Sequence, residues 1–246
     1  MARIGQSHLH WRSLFICFFL AILVATGLYG RHLGYPWGPI YKVVPSPVGK
    51  PRMTGTVGVF FSGDMGFNTG MGPKIAAHIA AQGIPVLGVN SLTAFSSRLS
   101  PAQTDKLVRQ TIERALAMPG AQRVLVIGQS FGADALVAGL PSLPQEDRAR
   151  IALVALVVPA DTLSYRATPG GTFNWGNDGP SLPHARRLYW VPTLCVHGET
   201  EPHSLCPIWQ QSNVTSVTLP GDHFLNRDSG LVAATIMQAY ARRMAH

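Results

Sequence analysis

The run Val124-Leu125-Val126-Ile127 feeds straight into the pentapeptide Gly128-Gln129-Ser130-Phe131-Gly132, and residues 133–140 continue as a helix-compatible stretch. A β-branched apolar run is a strand signal, so the chain must pass from strand to helix within one tight turn. Glycine is needed on both sides of the central serine, because strand and helix approach too closely there for a side chain. Such a turn lifts the Ser130 hydroxyl clear of the sheet edge. It also leaves the Phe131 N–H at a helix start, where it can stabilise an oxyanion. The pentapeptide alone also arises by chance in a chain with 25 glycines, as a structural strand–helix turn. The flanking strand and helix are what favour a nucleophile.

The rest of the chain repeats the alternation. Apolar strand candidates fall at 57–61, 86–89, 124–127, 151–158, 193–197 and 216–219. Helical stretches lie at 72–82, from Ser100 onward, after Ser130 and at 231–244. Ser100-Pro101-Ala102-Gln103 carries a capping box with proline at the first helical position. Val108, Ile112, Ala115 and Leu116 then give an apolar stripe at helical spacing. Continuous apolar strands alternating with helices specify an α/β fold, a mostly parallel, doubly wound sheet with helices on both faces. A chain of 246 residues is enough for one such domain.

Residues 162–190 break the rhythm with Pro169, Gly170, Gly171, Gly176, Gly179, Pro180 and Pro183, beside Tyr165, Phe173, Trp175, Tyr189 and Trp190. A loop this long and aromatic is expected to cap the site rather than to be idle surface.

Residues 14–29 are apolar and uncharged, with Arg3 and Arg12 before them and Arg31 after. They read as a signal peptide or an uncleaved signal anchor. Their length of about 16 residues is marginal for a spanning helix, and Ala25-Thr26-Gly27 is a poor cleavage site. The arginines ahead of the run place the N-terminus in the cytoplasm and the remainder across the membrane. Residues 34–52, with Pro36, Pro45, Pro47 and Pro51, read as a linker.

The formal net charge is +8, yet no Lys/Arg block or basic–aromatic interleaving marks a nucleic-acid surface. A generally basic exported domain and a loose attraction to an anionic membrane surface both fit the excess. Cys17 lies in the leader. Cys195 and Cys206 are near enough in sequence to close a small loop by a disulfide in an oxidising compartment, two buried thiols being the alternative. With no Cys-x-x-Cys or His-x-x-His spacing a metal site is not expected, and serine chemistry needs no cofactor.

A serine nucleophile needs a base and an orienting acid, met in chain order serine, acid, histidine on loops at the carboxyl ends of strands. His223, in Leu219-Pro220-Gly221-Asp222-His223-Phe224, follows the last strand candidate and precedes the terminal helix. His78, His184, His197, His203 and His246 fit that placement less well. For the acid, Gly198-Glu199-Thr200-Glu201 offers two carboxylates. Spacing from Gly198 selects Glu201, with Glu199 in reserve and Asp161 as a third option. A bond between Cys195 and Cys206 would brace this loop.

The second oxyanion donor is expected from Ser62-Gly63-Asp64-Met65-Gly66, whose glycines can aim the N–H of Met65 or Asp64 inward. Asp64 and Asp222 would also offer negative charge to a cationic substrate, with turn stabilisation as the plainer alternative. Asp134, near the helix start, is accounted for by the helix dipole.

These segments, with Gly88-Val89-Asn90-Ser91-Leu92, Gly128-Gln129-Ser130-Phe131-Gly132-Ala133-Asp134, Cys195-Val196-His197-Gly198-Glu199-Thr200-Glu201 and Cys206-Pro207, stand in an order that resembles the bacterial virulence protein VirJ/AcvB family of α/β-hydrolases. Gly221-Asp222-His223 stands where that family tends to have Gly-Gly-His-His, and the aromatic cluster expected after Leu92 is reduced to Phe95. The resemblance implies an α/β-hydrolase domain over 53–246, preceded by the leader at 1–33 and the linker at 34–52. It implies a periplasmic enzyme that splits the aminoacyl ester of lysyl-phosphatidylglycerol, with Ser130, His223 and Glu201 or Glu199 as its triad. It also implies an association with virulence and type IV secretion. The expected partners are then an aminoacylated phospholipid, the membrane surface and secretion-system proteins. A non-catalytic periplasmic adaptor on the same scaffold, and an esterase for another ester, are the rival readings.

Overall fold

The computed structural model describes residues 5–47, 55–171 and 176–245. Among them the strands are β1 (Tyr41–Val44), β2 (Thr56–Phe61), β3 (Val86–Val89), β4 (Arg123–Gln129), β5 (Ile151–Val157), β6 (Thr193–Gly198) and β7 (Val214–Leu219). They form one sheet in the order β1-β3-β2-β4-β5-β6-β7. β1 runs antiparallel to β3, and every other neighbouring pair is parallel. The helices are α1 (Gly5–Leu33), α2 (Gly72–Ala81), α3 (Ser91–Ala94), α4 (Pro101–Leu116), α5 (Phe131–Gly139), α6 (Gln145–Arg148), α7 (Leu182–Ala185) and α8 (Ser229–Met244).

β4 shows why the strands are apolar throughout. Val124 and Val126 enter a core with Val108 and Ile112 of α4 and Leu136 of α5. Leu125 and Ile127 enter a second core with Ile75 and Ile79 of α2 and Ile236 and Tyr240 of α8. Burial on both faces removes the polar alternation that a half-exposed strand keeps. The capping box forms as read: Ser100 Oγ accepts the Gln103 N–H, and Gln103 Oε1 accepts the Ser100 N–H. The terminal helix starts earlier than its apolar pattern, because Asp228 Oδ1 accepts the Leu231 N–H and caps it.

The segment expected as a linker departs from that reading. Tyr41–Val44 pairs with Val86–Val89 and becomes the edge of the sheet, while residues 48–52 lie outside the described residues. Upstream, α1 ends on a glycine cap. Gly34 sits at φ +87°, the Tyr35 N–H reaches the Gly30 carbonyl and the Gly34 N–H reaches that of Arg31.

The 162–190 segment packs largely beside the site. Tyr165 is buried, and its carbonyl accepts the Leu99 N–H. Asp178 pairs with Arg98 and accepts the Tyr165 N–H. Tyr189 is exposed, and Phe173 and Trp175 lie outside the described residues. Among the described residues of this segment only Gly170 reaches the pocket described below, so the expected aromatic cap is not what they build.

Candidate active site

Ser130 sits at φ 52°, ψ −127°, between the end of β4 and the first residue of α5. A non-glycine residue is strained there, and a turn this sharp is possible because Gly128 and Gly132, two residues to either side, lack side chains. A Cβ at Gly132 would stand 2.2 Å from the Phe61 carbonyl oxygen, and one at Gly128 would stand 2.6 Å from the Ala133 Cα. Both are backbone collisions. Phe131 opens α5, so its N–H has no partner within the helix and remains free for a ligand.

His223 comes from the loop after β7. Its Nε2 lies 2.9 Å from Ser130 Oγ, and its Nδ1 lies 2.6 Å from Glu201 Oε1. A carboxylate only accepts, so Nδ1 carries the proton and Nε2 is left to accept from the serine hydroxyl. The other Glu201 oxygen accepts the Gly198 N–H at 3.1 Å, which locks the carboxylate against the end of β6. The disulfide expected between Cys195 and Cys206 is formed and closes the loop that holds Glu201. Glu199 is exposed, and Asp161 lies 3.4 Å from the His203 ring instead.

The hydrogen bond to Glu201 raises the pKa of His223 above the ordinary imidazole value. Burial opposes it, and the charges of Glu201, Asp64 and Asp222 add to it. Burial also raises the Asp64 carboxyl, with His223 pulling it back.

The Gly63–Gly66 turn, closed by the Gly66 N–H on the Gly63 carbonyl, packs against the elbow. A Cβ at Gly63 would lie 3.4 Å from Ser130 Cβ, so this turn borders the serine, and Asp64 and Met65 line the same pocket. Ser62 Oγ holds the turn by accepting the Ser91 N–H. Asp222 is exposed, and its carboxylate accepts the Phe224 N–H, so it braces its own turn while adding charge beside His223.

A pocket of about 910 Å³ opens over these groups, lined by Asp64, Met65, Ser130 and His223. The rest of its lining was not legible as a site in the sequence and brings in Asn68, Lys74, Phe224 and Arg227. Lys74 leaves one sequence cue, since a cation in the first turn of a helix runs against the dipole. Arg227 ends a run of three residues, Leu225, Asn226 and Arg227, at φ 47°, 51° and 58°. Consecutive non-glycine residues in the left-handed region leave no pattern that local propensity would flag.

Asp134, read as a dipole residue, is buried, and its Oδ1 accepts the Ala160 N–H at 2.9 Å. It ties the elbow helix to the loop after β5. Among the described residues, no three His, Cys, Asp or Glu side chains are placed to hold a metal ion.

No curated protein matches the chain in sequence. Among solved structures, Est1E from Butyrivibrio proteoclasticus is similar at a TM-score of 0.63 and 12% identity, over 84% of this chain and 94% of that one. The α/β hydrolase GrgF from Penicillium sp. sh18 gives 0.61 at 12% identity, over 84% and 99%. A Xanthomonas campestris protein described as an α/β serine hydrolase without lid gives 0.54 at 16% identity, over 84% and 90%. Likenesses at these identities establish the α/β-hydrolase fold and go no further. The sequence carries a closer kinship: the model of the bacterial virulence protein (VirJ) family matches residues 55–244, a stretch that takes in everything from β2 to the terminal helix. On that match the chain belongs to the VirJ family.

Proposed function

We propose that this protein is a periplasmic serine hydrolase that cleaves the aminoacyl ester of lysyl-phosphatidylglycerol. The observation that carries the reading is the unbroken chain from Ser130 Oγ through His223 to Glu201, on the wall of a pocket that also holds Asp64.

His223 takes the Ser130 proton as Oγ attacks the ester carbonyl. The N–H groups of Phe131 and of Met65 or Asp64 hold the oxyanion. His223 then returns the proton to the departing glycerol oxygen, leaving a lysyl ester on Ser130. Water deprotonated by the same ring releases lysine and restores the serine. No cofactor enters these steps.

Charge supports the substrate class. Asp64 and Asp222 stand beside His223 and favour an ammonium group near the scissile ester, while Lys74 and Arg227, which also line the pocket, suit a phosphodiester. The apolar helix α1 and the disulfide fit an exported protein held at the membrane. Membership of a virulence-protein family supports secretion-system proteins as partners.

The test incubates the full chain in detergent with lysyl-phosphatidylglycerol, beside Ser130→Ala. Lysine release by the wild type alone is expected. Fluorophosphonate labelling of Ser130 without lysine release would keep the hydrolase and discard this lipid. Absence of both would favour the adaptor.

A further inference from the structure

The end of α1 packs directly behind residues that line the pocket. Leu33, its last residue, is fully buried with Leu92, Phe95 and Phe131, the residue that follows the elbow serine. The Leu33 carbonyl accepts from Asn90 Nδ2 at 2.8 Å, and the His32 carbonyl accepts from Asn68 Nδ2 at 3.0 Å. Asn68 lines the pocket, as does Gly66, where a Cβ would stand 3.0 Å from the Leu33 carbonyl oxygen. Thr93 Oγ1 donates to the Gly34 carbonyl at 2.9 Å and fixes the turn that follows.

Outward from this socket the described side chains of the helix stand exposed. Ser13–Leu33 has a mean hydropathy of 2.2 over 21 residues, and residues 13–29 of it are all exposed. A helix apolar all round belongs in hydrocarbon, and residues 13–30, about 27 Å of helix, come close to a core about 30 Å thick. With that span inserted, the membrane surface passes close to Arg31 and His32, the basic residues of its last turn. The pocket wall lies one hydrogen bond away.

The side chains around the socket suit that boundary. Trp37, in the turn after α1, is 94% exposed, and Phe224 on the pocket wall is 59% exposed. Lys74 and Arg227, which also line the pocket, can meet headgroup phosphates. Tryptophan favours the depth at which hydrocarbon gives way to headgroups.

We infer that α1 is a retained strut whose socket sets the mouth of the pocket on the bilayer surface that the helix spans, with lipid as the occupant of that face. A lipid-borne ester then reaches Ser130 without leaving the membrane, and a soluble ester gains nothing from the arrangement. The geometry holds whichever ester is cleaved.

The experiment reconstitutes the full chain, with Cys17→Ser, into phosphatidylglycerol–phosphatidylcholine vesicles. A polarity-sensitive dye is placed on Trp37→Cys, Phe224→Cys or Ala149→Cys, the last being exposed at the opposite end of the sheet. Headgroup-depth nitroxide lipids should quench the first two dyes and leave the third at background. A short Gly-Ser insertion between Gly30 and Arg31 keeps the socket but unlinks it from the span, and should remove the quenching at Phe224. Equal quenching at Phe224 and Ala149 would overturn the orientation, and quenching that survives the insertion would overturn the strut. Intact mass of the membrane-extracted protein should include the leader; a chain starting beyond the span overturns retention. None of these readouts needs turnover, so an inactive but correctly oriented protein would count against the proposed reaction alone.

Discussion

The imidazole of His223 is 41% exposed, yet the carboxylate it leans on, that of Glu201, is 3% exposed and lies 2.6 Å from Nδ1. A buried carboxylate with one oxygen on a backbone N–H and the other on the ring is poorly screened by solvent. Its charge therefore acts on the ring, fixing the tautomer and favouring the imidazolium that forms when the serine gives up its proton.

A raised His223 pKa has a direct kinetic signature. The ring works as a base only when neutral, so activity should rise with pH along a limb centred above the ordinary imidazole value of about 6.5. Glu201→Gln removes the largest cause and should move that limb down, while cutting kcat by on the order of 10³–10⁴-fold because the favoured tautomer is lost. Asp64→Asn removes a smaller contribution and should move the limb down less. A pH profile of kcat/KM for the three proteins decides it, and a limb unmoved in Glu201→Gln would mean that His223 is not the titrating base.

The elbow and the relay were legible in the sequence for concrete reasons. A strand, a pentapeptide and a helix in direct succession leave one backbone path, and His223 was selected by chain order. Glu201 was preferred over Glu199 by its distance from Gly198, the residue whose N–H its carboxylate accepts. What escaped were contacts made across the fold. β1 hides in four residues, Tyr41–Val44, because an edge strand flanked by prolines has neither the length nor the apolar run of a buried one. Gly34 reads as the start of a linker, though a glycine after an apolar helix is also a C-cap signal. The clamp of Asp134 on Ala160 depends on two loops meeting, which no local pattern encodes.

The elbow glycines should tolerate nothing larger. In Gly132→Ala the new Cβ meets two carbonyl oxygens, those of Phe61 at 2.2 Å and Ser62 at 2.5 Å, and neither can rotate away. The strand and the oxyanion loop must part, at a cost of about 1–3 kcal/mol for forced overpacking. The urea midpoint should fall accordingly, and fluorophosphonate labelling of Ser130 should slow even where the protein remains folded. An unchanged midpoint would show that the elbow has slack.

The Cys195–Cys206 bond should matter twice. Closing a loop of this size stabilises by about 2–3 kcal/mol through the unfolded chain. Cys195→Ala/Cys206→Ala should lower the unfolding free energy measured by urea titration by that amount. Because Glu201 rides on the same loop, kcat should fall with KM little changed, and reductant should have the same effect on the wild type. A stability loss with kcat intact would confine the bond to stability.

Asp134 should make the protein more stable when its charge is removed. Burial holds its carboxyl well above the ordinary value near 3.8, with the nearby charges of Glu201, Asp161 and Asp64 adding to the rise and the Ala160 N–H opposing it. The folded state therefore keeps a proton that the unfolded chain gives up. Its contribution is whole below the unfolded pKa and is lost as pH rises from there through the folded one. Asp134→Asn keeps an oxygen for the Ala160 N–H and has no proton to lose. The variant should match the wild type at low pH, exceed it at neutral pH and flatten the stability–pH curve between. Urea titrations at several pH values measure this, and a variant less stable than wild type at neutral pH would show that the ionised carboxylate is the form the fold requires.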